Sequence, residues 1–112
     1  MIDCEPRIRF MRLLVFFDLP VLTSADRREY RQFRKFLIDE GYLMMQESVY
    51  SKLVMNNNVA EAALAKLRQH RPFDGLVQVL KITEKQFATI EYISGHKLDN
   101  GVDDTLEDFV VI

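Results

Sequence analysis

The sequence is poor in the residues on which several kinds of site depend. It holds one cysteine, Cys4, in 112 residues, which excludes an internal disulfide and a zinc site built from several cysteines. Its four glycines are scattered, so it has no glycine-rich phosphate loop. No apolar stretch approaches the roughly 18 residues of a membrane span, and the start of the chain lacks the pattern of a signal peptide. We therefore expect a cytoplasmic protein with no membrane partner.

The residues that are present fit one folded domain. The chain is 48% hydrophobic and 29% charged, a balance typical of a globular domain and not of a disordered one. The formal net charge of −2 hides an uneven distribution. Residues 7–35 carry eight basic and three acidic side chains, whereas residues 84–112 carry two basic and seven acidic ones. This asymmetry favours a polyanionic partner and an acidic interaction tail.

Short apolar runs alternate with amphipathic stretches along the chain. The patterns predict strands at 13–17, 42–45, 48–55 and 76–82, and helices at 23–40 and 59–70. The expected helix boundaries are an N-cap at Thr23 or Ser24, Gly41 after the first helix, and capping boxes formed by Asn58 with Glu61 and by Thr83 with Gln86. The second box opens a short helix, and a further strand is predicted at 90–93.

The order strand, helix, strand, strand, helix, strand predicts an α+β, ferredoxin-like βαββαβ fold, an antiparallel sheet with its helices on one face. In the first strand, Leu13, Val15 and Phe17 share one face, and Leu14 and Phe16 lie on the other. The helices cover only one face, so the apolar second face needs another cover. Because most soluble oligomers are symmetric assemblies of one chain, a homodimer is expected to supply it. The alternative is that the short helix and the tail fold back over this face.

A basic stripe is predicted on the first helix. On a helical wheel its five cations fall within about 120°. They are Arg27, Arg28, Arg31, Arg34 and Lys35. Such a stripe is suited to bridging phosphates, and no base-reading motif accompanies it, which favours backbone binding without sequence preference. The alternative is a solvated helix face that Asp26 and Glu29 partly neutralise.

Asp18 is the candidate catalytic and metal-binding residue. It ends an apolar strand on the face of Leu14 and Phe16, where a carboxylate is costly to bury unless it is paired or bound to a cation. A dimer twofold would bring two copies of Asp18 together, and two carboxylates with waters suit Mg²⁺. A metal there can activate water against a phosphodiester. The alternative is that Asp18 caps the turn that follows it.

Several segments together resemble one family. They are residues 16–20 (FFDLP), 30–37 (YRQFRKFL), 40–42 (EGY), 46–52 (QESVYSK) and 83–87 (TEKQF). From about Arg9 to Ile93 the chain is similar to CRISPR-associated protein two, the small adaptation protein of bacterial CRISPR systems. The two last segments resemble the variant found beside a single large effector nuclease, the type II-A arrangement.

The resemblance implies a ferredoxin-like homodimer that bridges two dimers of the integrase, CRISPR-associated protein one. The assembly would hold a short double-stranded DNA protospacer and insert its ends into the CRISPR array, with the integration chemistry in the integrase. The resemblance also implies an Mg²⁺-dependent endonuclease acting on RNA or DNA, with Asp18 as the metal ligand at a site shared across the twofold. A stand-alone, toxin-type metal-dependent ribonuclease of the same fold is the alternative function.

The resemblance divides the chain into three parts. Residues 1–8 precede the usual start of the family and form an N-terminal extension, residues 9–94 form the ferredoxin-like domain, and residues 95–112 form an acidic linker with a C-terminal strand. That strand comprises Phe109, Val110, Val111 and Ile112. Because it is apolar and β-prone, it is suited to pairing with the sheet edge of a partner chain. The alternatives are pairing with its own sheet or a disordered terminus.

Overall fold

The computed structural model describes residues 10–95. Its elements in chain order are β1 (Met11–Asp18), α1 (Ser24–Asp39), β2 (Leu43–Gln46), β3 (Val49–Val54), α2 (Asn57–Gln69), β4 (Leu76–Thr83) and α3 (Glu84–Phe87). The first four predicted strands and the three predicted helices are confirmed, with bounds that differ by one or two residues. Within this range no helix has the length and apolar character needed to cross a membrane.

The strands form one antiparallel sheet in the order β2-β3-β1-β4. Strand β1 lies inside the sheet, paired with β3 on one side and with β4 over its whole length on the other. Because two helical crossovers and one hairpin connect these strands, the architecture is the predicted ferredoxin-like one. The expected C-terminal strand lies outside the described residues.

The predicted boundaries of α1 are confirmed in detail. Thr23 is the N-cap, and its Oγ1 accepts a hydrogen bond from the amide of Asp26 at 3.0 Å. The Asp26 carboxylate accepts one from the Thr23 amide at 3.1 Å, which completes a capping box. The chain leaves the helix through Gly41, whose φ of 92° is a left-handed conformation that glycine adopts without strain.

The predicted cap of α2 is wrong by two residues. Asn56, not Asn58, is the N-cap, and its Oδ1 accepts a hydrogen bond from the Val59 amide at 2.9 Å. All three asparagines in this run have the chemistry of a cap. The first of them has the extended backbone that a cap requires, with φ −159° and ψ 177°, so the helix begins earlier.

The predicted strand at 90–93 is also wrong. After α3, the amides of Thr89 and Ile90 donate to the carbonyls of Gln86 and Phe87, so the chain turns. Residues 90–94 pair with no strand, and they line one cleft together with Leu14 and Phe16.

The core lies between the two long helices and the face of β1 that carries Leu13, Val15 and Phe17. Helix α1 contributes Phe33 and Leu37, and the other buried members come from α2, β3 and the loops. These are Leu19, Tyr42, Tyr50, Val54, Ala60 and Leu67. Phe17 is the aromatic centre, with ring centroids 5.2 Å from Phe33 and 5.8 Å from Tyr50. We call this face of the sheet the inner face.

Residues 10–95 cover the outer face of the sheet only in part. Helix α3 lies against it because Arg12 forms an ion pair with Glu84 at 2.7 Å and stacks over the Phe87 ring at 4.2 Å. Leu14, on the same face, is 6% exposed. Four other leucines on this face are exposed: Leu43, Leu53, Leu76 and Leu80. The alternative that the short helix and the tail fold back over this face is therefore confirmed for the helix. The tail lies outside the described residues, and an apolar area stays exposed on residues 10–95.

Tyr42 offers a test of the core. It is 4% exposed, and its hydroxyl makes no hydrogen bond within residues 10–95. Burial raises the pKa of Tyr42 to about 12, and the charge of Glu40 adds to the effect. The hydroxyl thus costs stability at neutral pH and resists ionisation in the folded state.

We expect Tyr42→Phe to leave the free energy of unfolding at pH 7 unchanged or to raise it by about 1 kcal/mol, since an unpaired buried hydroxyl is removed. Above pH 10 the unfolded tyrosine loses its proton while the folded one keeps it to about pH 12. Stability therefore falls as pH rises through this interval, and the variant lacks that loss. The alkaline unfolding midpoint, followed by circular dichroism, should move to higher pH; a lower midpoint would show that the hydroxyl is stabilising.

Candidate metal and nucleic-acid interface

Asp18 is the last residue of β1, and its side chain is exposed. Its Cα pairs with that of Leu76 at the start of β4, and by strand alternation its side chain lies on the outer face with Leu14 and Phe16. The preceding residue, Phe17, is fixed in two ways. Its own side chain is buried in the core, and its own amide donates a hydrogen bond to the carbonyl oxygen of Ser48 at 3.1 Å. The candidate carboxylate therefore projects from the end of a rigid strand into solvent.

Within residues 10–95, the Asp18 carboxylate makes no hydrogen bond or ion pair with another side chain or with the backbone. The turn after β1 is thus not capped by this carboxylate, and the capping interpretation is wrong. The same range holds no group of three or more histidine, cysteine or acidic residues placed to bind a metal ion. Within this range, the carboxylate that one copy offers at the end of β1 is that of Asp18 alone.

An unpaired, exposed carboxylate has the donor chemistry that Mg²⁺ requires, since this ion is commonly held by one or two carboxylates and several waters. The site fits the ion when a second copy supplies another Asp18. The metal and catalytic assignments of Asp18 stay predictions.

The basic stripe lies on the exposed side of α1, as predicted. Its five members, Arg27, Arg28, Arg31, Arg34 and Lys35, are exposed along the helix, whereas Phe33 and Leu37 on the opposite side are buried in the core. Helix α1 covers the inner face, and Asp18 lies on the outer face at a strand end. Among the described residues no cation forms an ion pair with Asp18, although Arg28 lines a cleft together with Leu19 and Pro20, the two residues that follow this aspartate.

Two arginines of the stripe also form hydrogen bonds to other parts of the domain. Arg27 Nη1 donates to the carbonyls of Val21 and Leu22, at 3.2 and 3.1 Å, and so fixes the loop before the helix. Arg34 Nε donates to the hydroxyl of buried Tyr50 at 2.8 Å. This hydrogen bond raises the pKa of Arg34 above its ordinary value, so the guanidinium stays charged. Both retain N–H groups for a ligand, but changing either also disturbs the fold.

The other three cations of the stripe differ in whether they already have a partner among the described residues. Lys35 pairs with Asp39 one helical turn later, at 2.9 Å, and both side chains are exposed. Such a pair contributes little stability and leaves the lysine partly neutralised. Arg28 and Arg31 make no hydrogen bond or ion pair within residues 10–95. They are therefore the members of the stripe best placed to bind phosphate, a ranking that helical spacing could not give.

The remaining predicted contact residues, Phe109, Val110, Val111 and Ile112, lie outside the described residues, as do most of the acidic linker and the N-terminal extension. Their assignment as a partner-binding strand, and the domain division built on it, stay predictions.

The fold and the surface together define a ferredoxin-like domain with an exposed strand-end aspartate and a basic helix. A model of the family "CRISPR associated protein Cas2" matches residues 11–90 of the chain. The match covers most of the sequence and nearly all of the described structure. The chain therefore belongs to the Cas2 family of CRISPR-associated proteins, and the resemblance inferred from its sequence segments is confirmed.

Curated relatives agree with this assignment. A protein of Treponema denticola is 49% identical over 85 residues, covering 76% of this chain and 84% of its own. A protein of Streptococcus mutans is 46% identical over 87 residues, covering 78% and 80% respectively. A protein of Ligilactobacillus salivarius is 46% identical over 88 residues, covering 79% and 87%. Each of the three is named CRISPR-associated endoribonuclease Cas2.

Proposed function

We propose that the protein acts in CRISPR spacer acquisition as a homodimer that bridges two dimers of the CRISPR-associated integrase and holds the backbone of a double-stranded DNA protospacer. The observation that carries the proposal is the exposed basic stripe of α1 in a chain that belongs to the Cas2 family. Five cations on one helical arc neutralise several phosphates, and counterion release favours the complex. Because no base-reading group accompanies them, the DNA is held without sequence preference.

The outer face supports the homodimer. It leaves Leu43, Leu53, Leu76 and Leu80 exposed around the buried Leu14, and it carries Asp18 at one end. A second copy packed against these leucines would remove them from water, at about 25 cal/mol for each Å² of apolar surface buried. A twofold axis near the ends of the two β1 strands would also bring the two Asp18 carboxylates together.

The assembly is tested by size-exclusion chromatography with light scattering, on the chain alone, with the integrase, and with the integrase and a short duplex. We expect the mass of a dimer alone, and one larger particle that holds two integrase dimers when the integrase is added. The duplex is expected to join that particle. A dimer that never binds the integrase would instead support the stand-alone toxin-type ribonuclease.

Charge on the outer face is expected to break the dimer. We expect Leu80→Glu to shift the light-scattering mass from that of two chains to that of one, because a carboxylate would have to be desolvated in an apolar interface. Leu22→Glu is the matched control, since Leu22 is 84% exposed in the loop after β1 and lies outside the sheet. A dimer that survives Leu80→Glu but not Leu22→Glu would place the interface elsewhere.

A second candidate function is an Mg²⁺-dependent endonuclease that cleaves RNA, or DNA as the alternative substrate. It is favoured by the free carboxylate of Asp18 and by the endoribonuclease names of the relatives. When bound, the metal would lower the pKa of a water molecule and so supply a nucleophile for the phosphodiester. Asp18 from each copy would hold the ion, and the rigid end of β1 would fix where it sits.

The C-terminal residues complete the proposed assembly. Phe109, Val110, Val111 and Ile112 would add a strand to the sheet of a partner chain, with main-chain hydrogen bonds supplying affinity.

A further inference from the structure

The turn between α2 and β4 packs against the backbone at the end of β1. Gly75, the last residue before β4, has a φ of 100°, a left-handed conformation that disfavours any side chain. A Cβ atom at this position would lie 2.8 Å from the carbonyl oxygen of Asp18 and 3.0 Å from the Cα of Leu19. It would also lie 2.7 Å from Cδ2 of Leu19, whose side chain is 7% exposed. A methyl group cannot enter without moving the backbone that carries Asp18.

The turn is held in place from its other side. The Phe73 amide donates to Glu29 Oε1 of α1 at 3.1 Å, and the Gly75 amide donates to Asp74 Oδ1 at 2.8 Å. The turn therefore lies between α1 and the end of β1. A side chain at Gly75 would press on the backbone of residues 18–19, while the hydrogen bond to Glu29 opposes movement of the turn away from it.

The position of the Asp18 carboxylate depends on that backbone. Among the described residues no hydrogen bond or ion pair orients its side chain. Its placement comes from the pairing with Leu76, the buried Leu19 side chain and the contact with Gly75. We propose that Gly75 is a positioning residue for Asp18, a role that rests on the proposed metal function. Because the proposed site takes one Asp18 from each copy, a change at Gly75 would displace both carboxylates.

The test compares Gly75→Ala with Gly41→Ala in the full-length protein. Gly41 has a similar φ of 92°, but a Cβ there meets only Lys52 Nζ at 3.9 Å, an ordinary contact. Both variants thus share the conformational strain, and only the first displaces Asp18. Mn²⁺ is the probe, titrated at a temperature where circular dichroism shows each variant folded, with free Mn²⁺ measured by electron paramagnetic resonance. The Mg²⁺ concentration that gives half-maximal cleavage is measured in parallel.

We expect Gly75→Ala to weaken Mn²⁺ binding by about tenfold or more, as is typical when the support of a metal ligand is lost. The half-saturating Mg²⁺ concentration should rise in parallel, and Gly41→Ala should leave both constants at their wild-type values while lowering the melting temperature. If Gly75→Ala does not fold, Glu29→Ala releases the same turn without a clash, and a smaller shift in the same direction is expected.

Two results separate this inference from the function on which it rests. If Asp18→Asn abolishes Mn²⁺ binding while Gly75→Ala, or Glu29→Ala in its place, binds Mn²⁺ as the wild type does, Gly75 has no positioning role and the metal function stands. If Asp18→Asn binds Mn²⁺ as tightly as the wild type, the metal function is wrong and the positioning role is lost with it.

Discussion

Asp18→Asn is expected to reduce Mg²⁺-stimulated cleavage of RNA or DNA by about a hundredfold or more, because the only proposed protein ligand of the metal loses its charge. The fold should be unaffected, since Asp18 is exposed and makes no side-chain bond within residues 10–95. Cleavage of labelled oligonucleotides is measured with and without Mg²⁺, and in the presence of a chelator, on dimer verified by light scattering. The chelator should reduce the wild type to the level of the variant.

Glu61→Gln is the control for this experiment. It makes the same acid-to-amide change on an exposed side chain of α2, where Glu61 pairs with Lys81 at 3.2 Å, remote from the end of β1. We expect this variant to retain wild-type cleavage. Full cleavage by Asp18→Asn would assign the activity to another site or to a contaminating nuclease. Spacer acquisition is expected to survive the loss of cleavage, because the integration chemistry is proposed to lie in the integrase.

The parts of the fold that could be predicted from sequence are those set by local patterns. The capping box of Thr23 and Asp26 and the left-handed Gly41 are formed by neighbours in sequence, so their chemistry marks the ends of α1 directly. The uninterrupted apolar run in β1 likewise indicates a strand buried on both faces, and Leu13 on one face and Leu14 on the other are both buried. The strand predicted at 90–93 failed because β-prone residues form a strand only where they meet a sheet edge, and after the turn that follows α3 this segment pairs with neither β2 nor β4.

The candidate site was predictable in its residues but not in their partners. Helical spacing places five cations on one arc of α1, and the structure confirms it. Spacing gives no sign that Arg34 bonds to Tyr50 or that Arg27 bonds to a loop carbonyl, because these interactions depend on how the elements pack. In the same way, the sequence marks Gly75 as a turn residue, while its approach to Asp18 depends on the register of β1 and β4.

The second large expected effect is on DNA binding, when the charge of two stripe arginines without a described partner is reversed. We expect the double variant Arg28→Glu, Arg31→Glu to weaken binding of a short DNA duplex by on the order of tenfold per reversed residue, because attraction to a phosphate is replaced by repulsion at each position. The slope of log affinity against log salt concentration should fall by about one for each phosphate that the protein no longer neutralises. The weakening should be alike for duplexes of unrelated sequence, since no base is read.

These two positions are the informative ones because neither arginine bonds to another described residue, whereas reversing Arg27 or Arg34 also breaks hydrogen bonds to Val21, Leu22 or Tyr50. Lys85→Glu, compared with the single variant Arg31→Glu, controls for net charge: Lys85 is exposed on α3, which lies against the outer face. Fluorescence anisotropy over a series of salt concentrations measures both quantities, and light scattering verifies the dimer. If Lys85→Glu weakens binding as much as Arg31→Glu, the duplex senses the total charge of the protein and not the stripe on α1.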